Sequence, residues 1–257
     1  VAVVGAGAMG RAMAAGMLRG RADLAEGLLL ADAVPAALEA AVADVGGRPA
    51  PLEEAAAADL VCLAVKPKDA QGALAELVPR MAPGAVLLSV IAGWDLDRLA
   101  AAAPGTALVR TMPNLAVRHG AGIVSLASRG MAEGREDEVV ALLRPLGAVL
   151  PLPESLFPAA TALAGSGPGF LALVAEGLEE GAVAAGLSRP QARELTAAAL
   201  AGTAALLADG TDPAVLRQRV SSPAGVTIAG LAVLERGAVR AHLADAVTTA
   251  ARRAGEL

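Results

Sequence analysis

The sequence predicts an α/β chain: an N-terminal, Rossmann-type doubly wound sheet followed by an all-α C-terminal domain. Three observations carry that prediction. Short apolar runs alternate with helical stretches at a spacing of roughly 20–30 residues, as in a mostly parallel sheet covered on both faces. The first run leads straight into a glycine loop, Gly5-Ala6-Gly7-Ala8-Met9-Gly10. Beyond Pro151-Leu152-Pro153 the strand patterns stop and only helical patterns remain. The expected domains are therefore 1–152 for the dinucleotide-binding half and 153–257 for the helical half.

Taken in order, the predicted strands are Val1–Val4, Leu28–Ala31, Leu60–Val65, Ala85–Val90, Ala107–Thr111, Gly122–Leu126 and Ala148–Leu152. Leu60-Val61-Cys62-Leu63-Ala64-Val65 is apolar throughout, which places it at the buried centre of a parallel sheet. In the second half a helix is expected from Ser155, a long one over about Pro168 to Ala185, and another from Ser188-Arg189-Pro190-Gln191 with a capping box. Asp212-Pro213 and Ser222-Pro223 read as two further cap-plus-proline starts.

Composition narrows the function classes. The net charge is −5, with no basic cluster, which argues against nucleic acid as a partner. The longest uncharged run, Ser155 to Ala175, is interrupted by Pro158, Gly165, Gly167, Pro168 and Gly169, which fits a turn feeding a core helix better than a membrane span. No cationic leader precedes the first strand, so a cytoplasmic location is expected. The single cysteine, Cys62, excludes an intrachain disulfide, and with only two scattered histidines no metal site is expected.

The glycine loop carries the first chemical inference. Gly5 permits a tight turn out of the strand, Gly7 lets the backbone approach a pyrophosphate, and Gly10 allows close strand–helix packing. Ala8 and Met9 then begin a helix whose free N–H groups and dipole favour phosphate. After the second strand Asp32 stands where a carboxylate would accept ribose hydroxyls and repel a 2′-phosphate, and the following Ala33-Val34-Pro35-Ala36-Ala37 offers no Arg, Lys or Ser. This chemistry favours NADH within NAD(P)H; a plainer reading makes Asp32 the cap of the next helix. Ligands of such sheets lie at the carboxyl ends of the strands. Ala64-Val65-Lys66-Pro67, Ser89-Val90-Ile91-Ala92-Gly93 and Met112-Pro113-Asn114 fall there and together outline one cleft.

Proton-transfer groups are scarce. The chain has no tyrosine, two lysines (Lys66 and Lys68) and two histidines (His119 and His242). Reduction of a carbonyl needs an acid for the nascent alkoxide. A reductase with this composition is expected to act on a substrate that brings its own proton, as an iminium does.

The helical half is rich in small residues at helical spacing: Gly177 and Gly181, then Ala184 and Ala185, and Ala197, Ala201, Ala204 and Ala205 in the next helix. They allow close backbone approach, either within one subunit's core or against a second subunit. Gly165-Ser166-Gly167-Pro168-Gly169 and Ser221-Ser222-Pro223-Ala224-Gly225-Val226-Thr227 each leave free amides at a helix start, an arrangement that serves helix capping or the binding of a carboxylate.

Gly-x-Gly-x-Met-Gly at 5–10, Ala-Val-Lys-Pro at 64–67, Arg110-x-Met112-Pro113-Asn114, Gly165-Ser166-Gly167-Pro168 and Ser222-Pro223-x-Gly225-x-Thr227, in this order, resemble the pyrroline-5-carboxylate reductase family. The resemblance covers nearly the whole chain and implies hydride transfer from NAD(P)H to a cyclic imine, giving proline. It implies that the helical domain forms a homodimer, open to further assembly, with a small imino acid as the substrate. It makes Gly225, Val226 and Thr227 the substrate loop, with backbone amides on the carboxylate and the Thr227 hydroxyl on the ring nitrogen. Glu154 aligns with an acidic position of the substrate pocket, or opens a helix as a surface residue. Ala64, Lys66, Pro67, Ala92 and Asn114 would line the cofactor cleft.

Two departures stand out. Ala224 occupies the first of two glycines common after Ser-Pro in that family, and Asp32 replaces a hydroxyl residue that helps receive the 2′-phosphate of NADPH, the family's usual cofactor. A β-hydroxyacid dehydrogenase shares the general plan but resembles an enzyme with a lysine on the first long helix of its second domain, which this chain lacks. A non-catalytic dinucleotide sensor is the alternative of another class.

Overall fold

A computed structural model describes residues 1–24 and 26–256. Among them lie eight strands: β1 (Ala2–Val4), β2 (Leu29–Ala31), β3 (Arg48–Pro49), β4 (Leu60–Leu63), β5 (Val86–Ser89), β6 (Ala107–Pro113), β7 (Gly122–Arg129) and β8 (Gly147–Pro151). They form one sheet in the order β3-β2-β1-β4-β5-β6-β7-β8. All pairings are parallel except β6 with β7. The order reverses between β1 and β4, which creates the crevice typical of dinucleotide-binding sheets.

The helices of this half are α1 (Ala8–Gly20), α2 (Pro35–Val45), α3 (Leu52–Ala56), α4 (Ala70–Leu77), α5 (Leu96–Ala102) and α6 (Arg135–Leu143). They cover both faces, and the central strands alternate accordingly. Val61 and Leu63 of β4 join a core with Leu74, Leu87 and Trp94. Leu60 and Cys62 join another with Met13, Met17, Leu30 and Leu143. The period of two explains why a run that is apolar throughout forms a single buried strand.

The expected strands are present, most of them a residue or two shorter at their ends. β3 was not anticipated, because Arg48-Pro49 carries no apolar pattern; an exposed edge is where a proline is tolerated. β6 and β7 extend beyond expectation because they pair antiparallel with each other from Leu108↔Arg129 to Pro113↔Val124.

The chain then continues through α7 (Phe157–Ala160), a π-helical segment at Thr161–Gly165, α8 (Gly167–Ala184), α9 (Arg189–Ala208), α10 (Pro213–Arg219), α11 (Val226–Arg236) and α12 (Val239–Gly255). Contacts divide the molecule into Val1–Gly165 with the C-terminal residues from Ala254, and Ser166–Arg253. Ser188 and Gln191 form the expected capping box, and Asp212 caps α10 by accepting the amides of Ala214 and Val215. The expected helix start at Ser222-Pro223 is displaced: α11 begins at Val226 with Gly225 as its N-cap. The intervening Ala224 has φ +56°, a left-handed turn that breaks the chain direction before the helix. The helix α12, for which Gly237-Ala238 gave no cap signal, was not anticipated.

Within Ser166–Arg253 only Gly167, Ala192 and Thr196 are buried among the described residues. Large apolar side chains stand exposed, Leu173 at 69% and Val233 at 58%. One helical stretch of the described residues, Glu154–Ala184, is long and apolar enough to cross a membrane by length and composition.

Candidate functional site

The glycine loop leaves β1 under tight steric control. Gly5 has φ +102°, and a Cβ there would lie 2.7 Å from the carbonyl of Ala64. At Gly10 a Cβ would lie 1.8 Å from the Gly5 oxygen. These two glycines let the loop, α1 and the end of β4 nest together. Gly7 differs, because no atom of the described residues lies within 4 Å of its would-be Cβ. Gly7 and Ala8 are exposed and Met9 half-buried, so the tip of the loop opens outward.

The first hydrogen bond of α1 runs from the Arg11 amide to the Gly7 carbonyl at 2.9 Å. The amides of Ala8, Met9 and Gly10 therefore have no acceptor within the helix, and no side chain caps them. No acidic residue occupies the first turn. An uncapped N-terminus with an open glycine at its tip fits a pyrophosphate, so the residues present suit a dinucleotide.

Asp32, half-buried at the end of β2, fastens this loop. Its Oδ2 accepts the Ala6 amide at 2.6 Å, and its Oδ1 accepts the Val34 amide at 2.8 Å. It is not the cap of α2, whose N-cap is Val34 without a side-chain bond. Each carboxylate oxygen keeps a further lone pair available to a hydroxyl donor.

The other expected cleft residues follow the neighbouring strands. Ala64 and Val65 are half-buried behind β4, and Ala64 touches the glycine loop. Lys66 and Pro67 are exposed, and Ala92 is exposed past β5, next to Gly93. Asn114 is buried, donating Nδ2 to the Ala164 carbonyl at 2.9 Å and accepting the Ile123 amide at 3.2 Å. Its side chain ties the π-helical segment to the β6–β7 connection, so this residue shapes the cleft wall from behind.

A cavity of about 660 Å³ adjoins these strand ends, lined among others by Pro67, Ala92, Trp94, Arg110, Met112 and Glu154. Glu154 Oε1 accepts Arg110 Nη1 at 2.7 Å and the Leu96 amide at 2.8 Å. It thus binds β6 and the start of α5 to the segment after β8. Arg110 also lies over the Phe157 ring, 4.7 Å from its centroid. Neither Arg110 nor Trp94 was singled out from sequence as a site residue. The only signal was the Arg-x-Met-Pro-Asn motif, since ion pairing across 44 positions leaves no local trace.

The loop before α11 carries the remaining candidates. A Cβ on Gly225 would meet Ser222 Oγ at 2.3 Å, so a larger residue there requires the Ser222 hydroxyl to turn away. The Gly225 amide is bonded to the Ser222 carbonyl at 3.0 Å, which removes it from the free donors expected here. The first helical bond is Ala229 amide to Gly225 carbonyl, so the Val226 and Thr227 amides remain without an acceptor in the helix. Val226 is 91% exposed, and the half-buried Thr227 makes no side-chain hydrogen bond among the described residues. The structure thus brings together Gly5–Gly10, Asp32 and Ala64, and separately Glu154, Pro67 and Ala92 around the cavity. Gly225–Thr227 belongs to the other unit.

Cys62 is fully buried, and burial pushes its thiol up to about 12, so it is no nucleophile. Among the described residues no three or more His, Cys, Asp or Glu side chains form a group that could hold a metal ion.

Comparison with known proteins gives two family matches: pyrroline-5-carboxylate reductase dimerisation over residues 154–257, and NADP oxidoreductase, coenzyme F420-dependent, over residues 1–93. A pyrroline-5-carboxylate reductase of Thermus thermophilus is 37% identical over 100% of this chain and 98% of its own length. That of Synechocystis sp. is 38% identical over 80% of this chain and 77% of its own length. Among solved structures, a pyrroline-5-carboxylate reductase from Coxiella burnetii superposes with a TM-score of 0.92 at 27% identity, covering 99% of this chain and 97% of that one.

Proposed function

The chain belongs to the pyrroline-5-carboxylate reductase family, and from that premise we propose how its residues reduce 1-pyrroline-5-carboxylate to L-proline. The observation that carries the reading is the pair of uncapped helix starts, one behind an open glycine loop and one behind Gly225 with a free threonine hydroxyl. The first suits a dinucleotide pyrophosphate and the second a carboxylate.

Gly5, Gly7, Ala8, Met9 and Gly10 hold the pyrophosphate, Asp32 receives the adenosine ribose, and Ala64, Val65, Lys66, Pro67, Ala92 and Asn114 form the wall toward the nicotinamide. When bound, the nicotinamide supplies a hydride to the imine carbon. The Val226 and Thr227 amides hold the substrate carboxylate, while the Thr227 hydroxyl hydrogen-bonds the ring nitrogen and orients the C=N bond. Glu154, fixed by Arg110, forms an acidic wall of the substrate pocket. The nitrogen gains a proton and the carbon a hydride, so the balance is imine, NAD(P)H and H⁺ to proline and NAD(P)⁺. A cyclic imine that arrives protonated needs no strong general acid, in keeping with a chain that has no tyrosine and only two lysines.

NADH is accepted at least as well as NADPH, because Asp32 would face a 2′-phosphate with like charge. The exposed apolar side chains of the helical unit are covered by a second copy rather than by lipid, a reading supported by the dimerisation family match. We place the enzyme in the cytoplasm. The reaction is tested by reducing the imine with NADH carrying two deuteriums at C4 of its dihydronicotinamide: the proline formed should carry deuterium at C5. Proline without the label would contradict direct hydride transfer.

A further inference from the structure

A second concave site runs along α1, from its first residue to Arg19 near its end. It is a pocket of about 330 Å³ lined by Ala8, Ala12, Ala15, Arg11, Arg19, Arg118 and Asp44 among others. Three guanidinium groups against one carboxylate leave two uncompensated positive charges, on a chain whose net charge is −5.

The three arginines are not equivalent. Arg19 donates through both terminal nitrogens to the Arg118 carbonyl at 3.1 and 3.3 Å, fixing the backbone of the turn that carries Arg118. Arg11 and Arg118 approach Asp44 only at 3.8 and 3.6 Å, beyond hydrogen-bond length. Among the described residues neither of these two guanidinium groups makes a hydrogen bond. Two planar forks with their donors free therefore converge on one carboxylate beside an alanine wall. Two guanidinium groups that share one carboxylate present donors that match the oxygens of a phosphate bidentately.

We propose that this pocket binds the phosphate group of a small phosphorylated molecule, held between Arg11 and Arg118, with its carbon body against Ala12 and Ala15. The site borders the dinucleotide cradle at Ala8, but its charged groups Arg11, Arg19, Arg118 and Asp44 take no part in that cradle, and it is independent of the reading of the reaction.

Inorganic phosphate is the probe, titrated calorimetrically into the whole protein against chloride at matched ionic strength. Saturable binding is expected, persisting when NADH is saturating. Arg118→Gln keeps the carbonyl that Arg19 holds and should weaken phosphate by about tenfold, the worth of a charge-assisted bond. Asp44→Asn, which removes the competing carboxylate, should tighten it. Three outcomes would overturn the proposal: no saturable heat, displacement of phosphate by NADH, which would locate it at the glycine loop, or equal affinity in all three proteins.

Discussion

The Asp32 carboxylate accepts the amide of Ala6 at 2.6 Å, so the residue that ends β2 also fixes the glycine loop that follows β1. One side chain thereby sets both the shape of the phosphate cradle and the charge that meets the ribose. Asp32→Ser keeps an acceptor for Ala6 but removes the negative charge. The ratio of kcat/KM for NADPH to that for NADH should rise by at least about tenfold, since a unit charge at close range contributes roughly 1–4 kcal/mol. An unchanged ratio would remove Asp32 as the basis of cofactor choice.

Gly7 and Gly10 separate binding from folding. Gly10→Ala drives a methyl to within 1.8 Å of the Gly5 oxygen and should destabilise the fold by about 3 kcal/mol or more, read by urea unfolding. Gly7→Ala meets no atom of the described residues within 4 Å and should cost about 1 kcal/mol or less. It should still raise the dinucleotide Kd at least about tenfold, because its methyl obstructs an approach worth two or three charge-assisted bonds.

Ala224 sits at φ +56°, where an L side chain costs roughly 1–2 kcal/mol. Glycine there relieves that strain and gives back about 0.5–1 kcal/mol in unfolded-state entropy. Ala224→Gly should therefore raise stability by about 0.5–1 kcal/mol, measured as Tm at fixed protein concentration. A fall in Tm would mean that the methyl makes a favourable contact in the assembled protein.

The Arg110–Glu154 pair, with side chains 11% and 25% exposed, is shielded enough to matter. Glu154→Gln and Arg110→Met should each destabilise by about 1–3 kcal/mol, because each leaves a partly buried charge unpaired. The double variant should lose less than the sum, and strict additivity would show that the pair is not coupled.

Thr227→Ala should lower kcat by roughly 10- to 100-fold, the worth of one hydrogen bond to a charged ring nitrogen. The dinucleotide Kd, read by nicotinamide fluorescence, should stay unchanged. Retained turnover would remove the hydroxyl from the reaction.

Much of the fold was legible because its signals are local. The apolar run Leu60-Val61-Cys62-Leu63, the Ser188–Gln191 box and the Asp212 cap each depend on neighbours within a few positions. The glycine loop was legible for the same reason. What escaped depends on distant partners. The pairing of β3 with β2 is set by the sheet edge, and the place of Glu154 depends on Arg110 and Leu96. The displaced start of α11 at Val226 and the unexpected start of α12 at Val239 both follow left-handed alanines, at 224 and 238, a conformation that alanine does not advertise.

The most direct measurement follows nicotinamide absorbance when the purified protein meets 1-pyrroline-5-carboxylate, with NADH and NADPH tried separately. Loss of absorbance with both, at least as fast with NADH, is the predicted result. No loss with either would contradict imine reduction and leave a dinucleotide-binding fold without this activity.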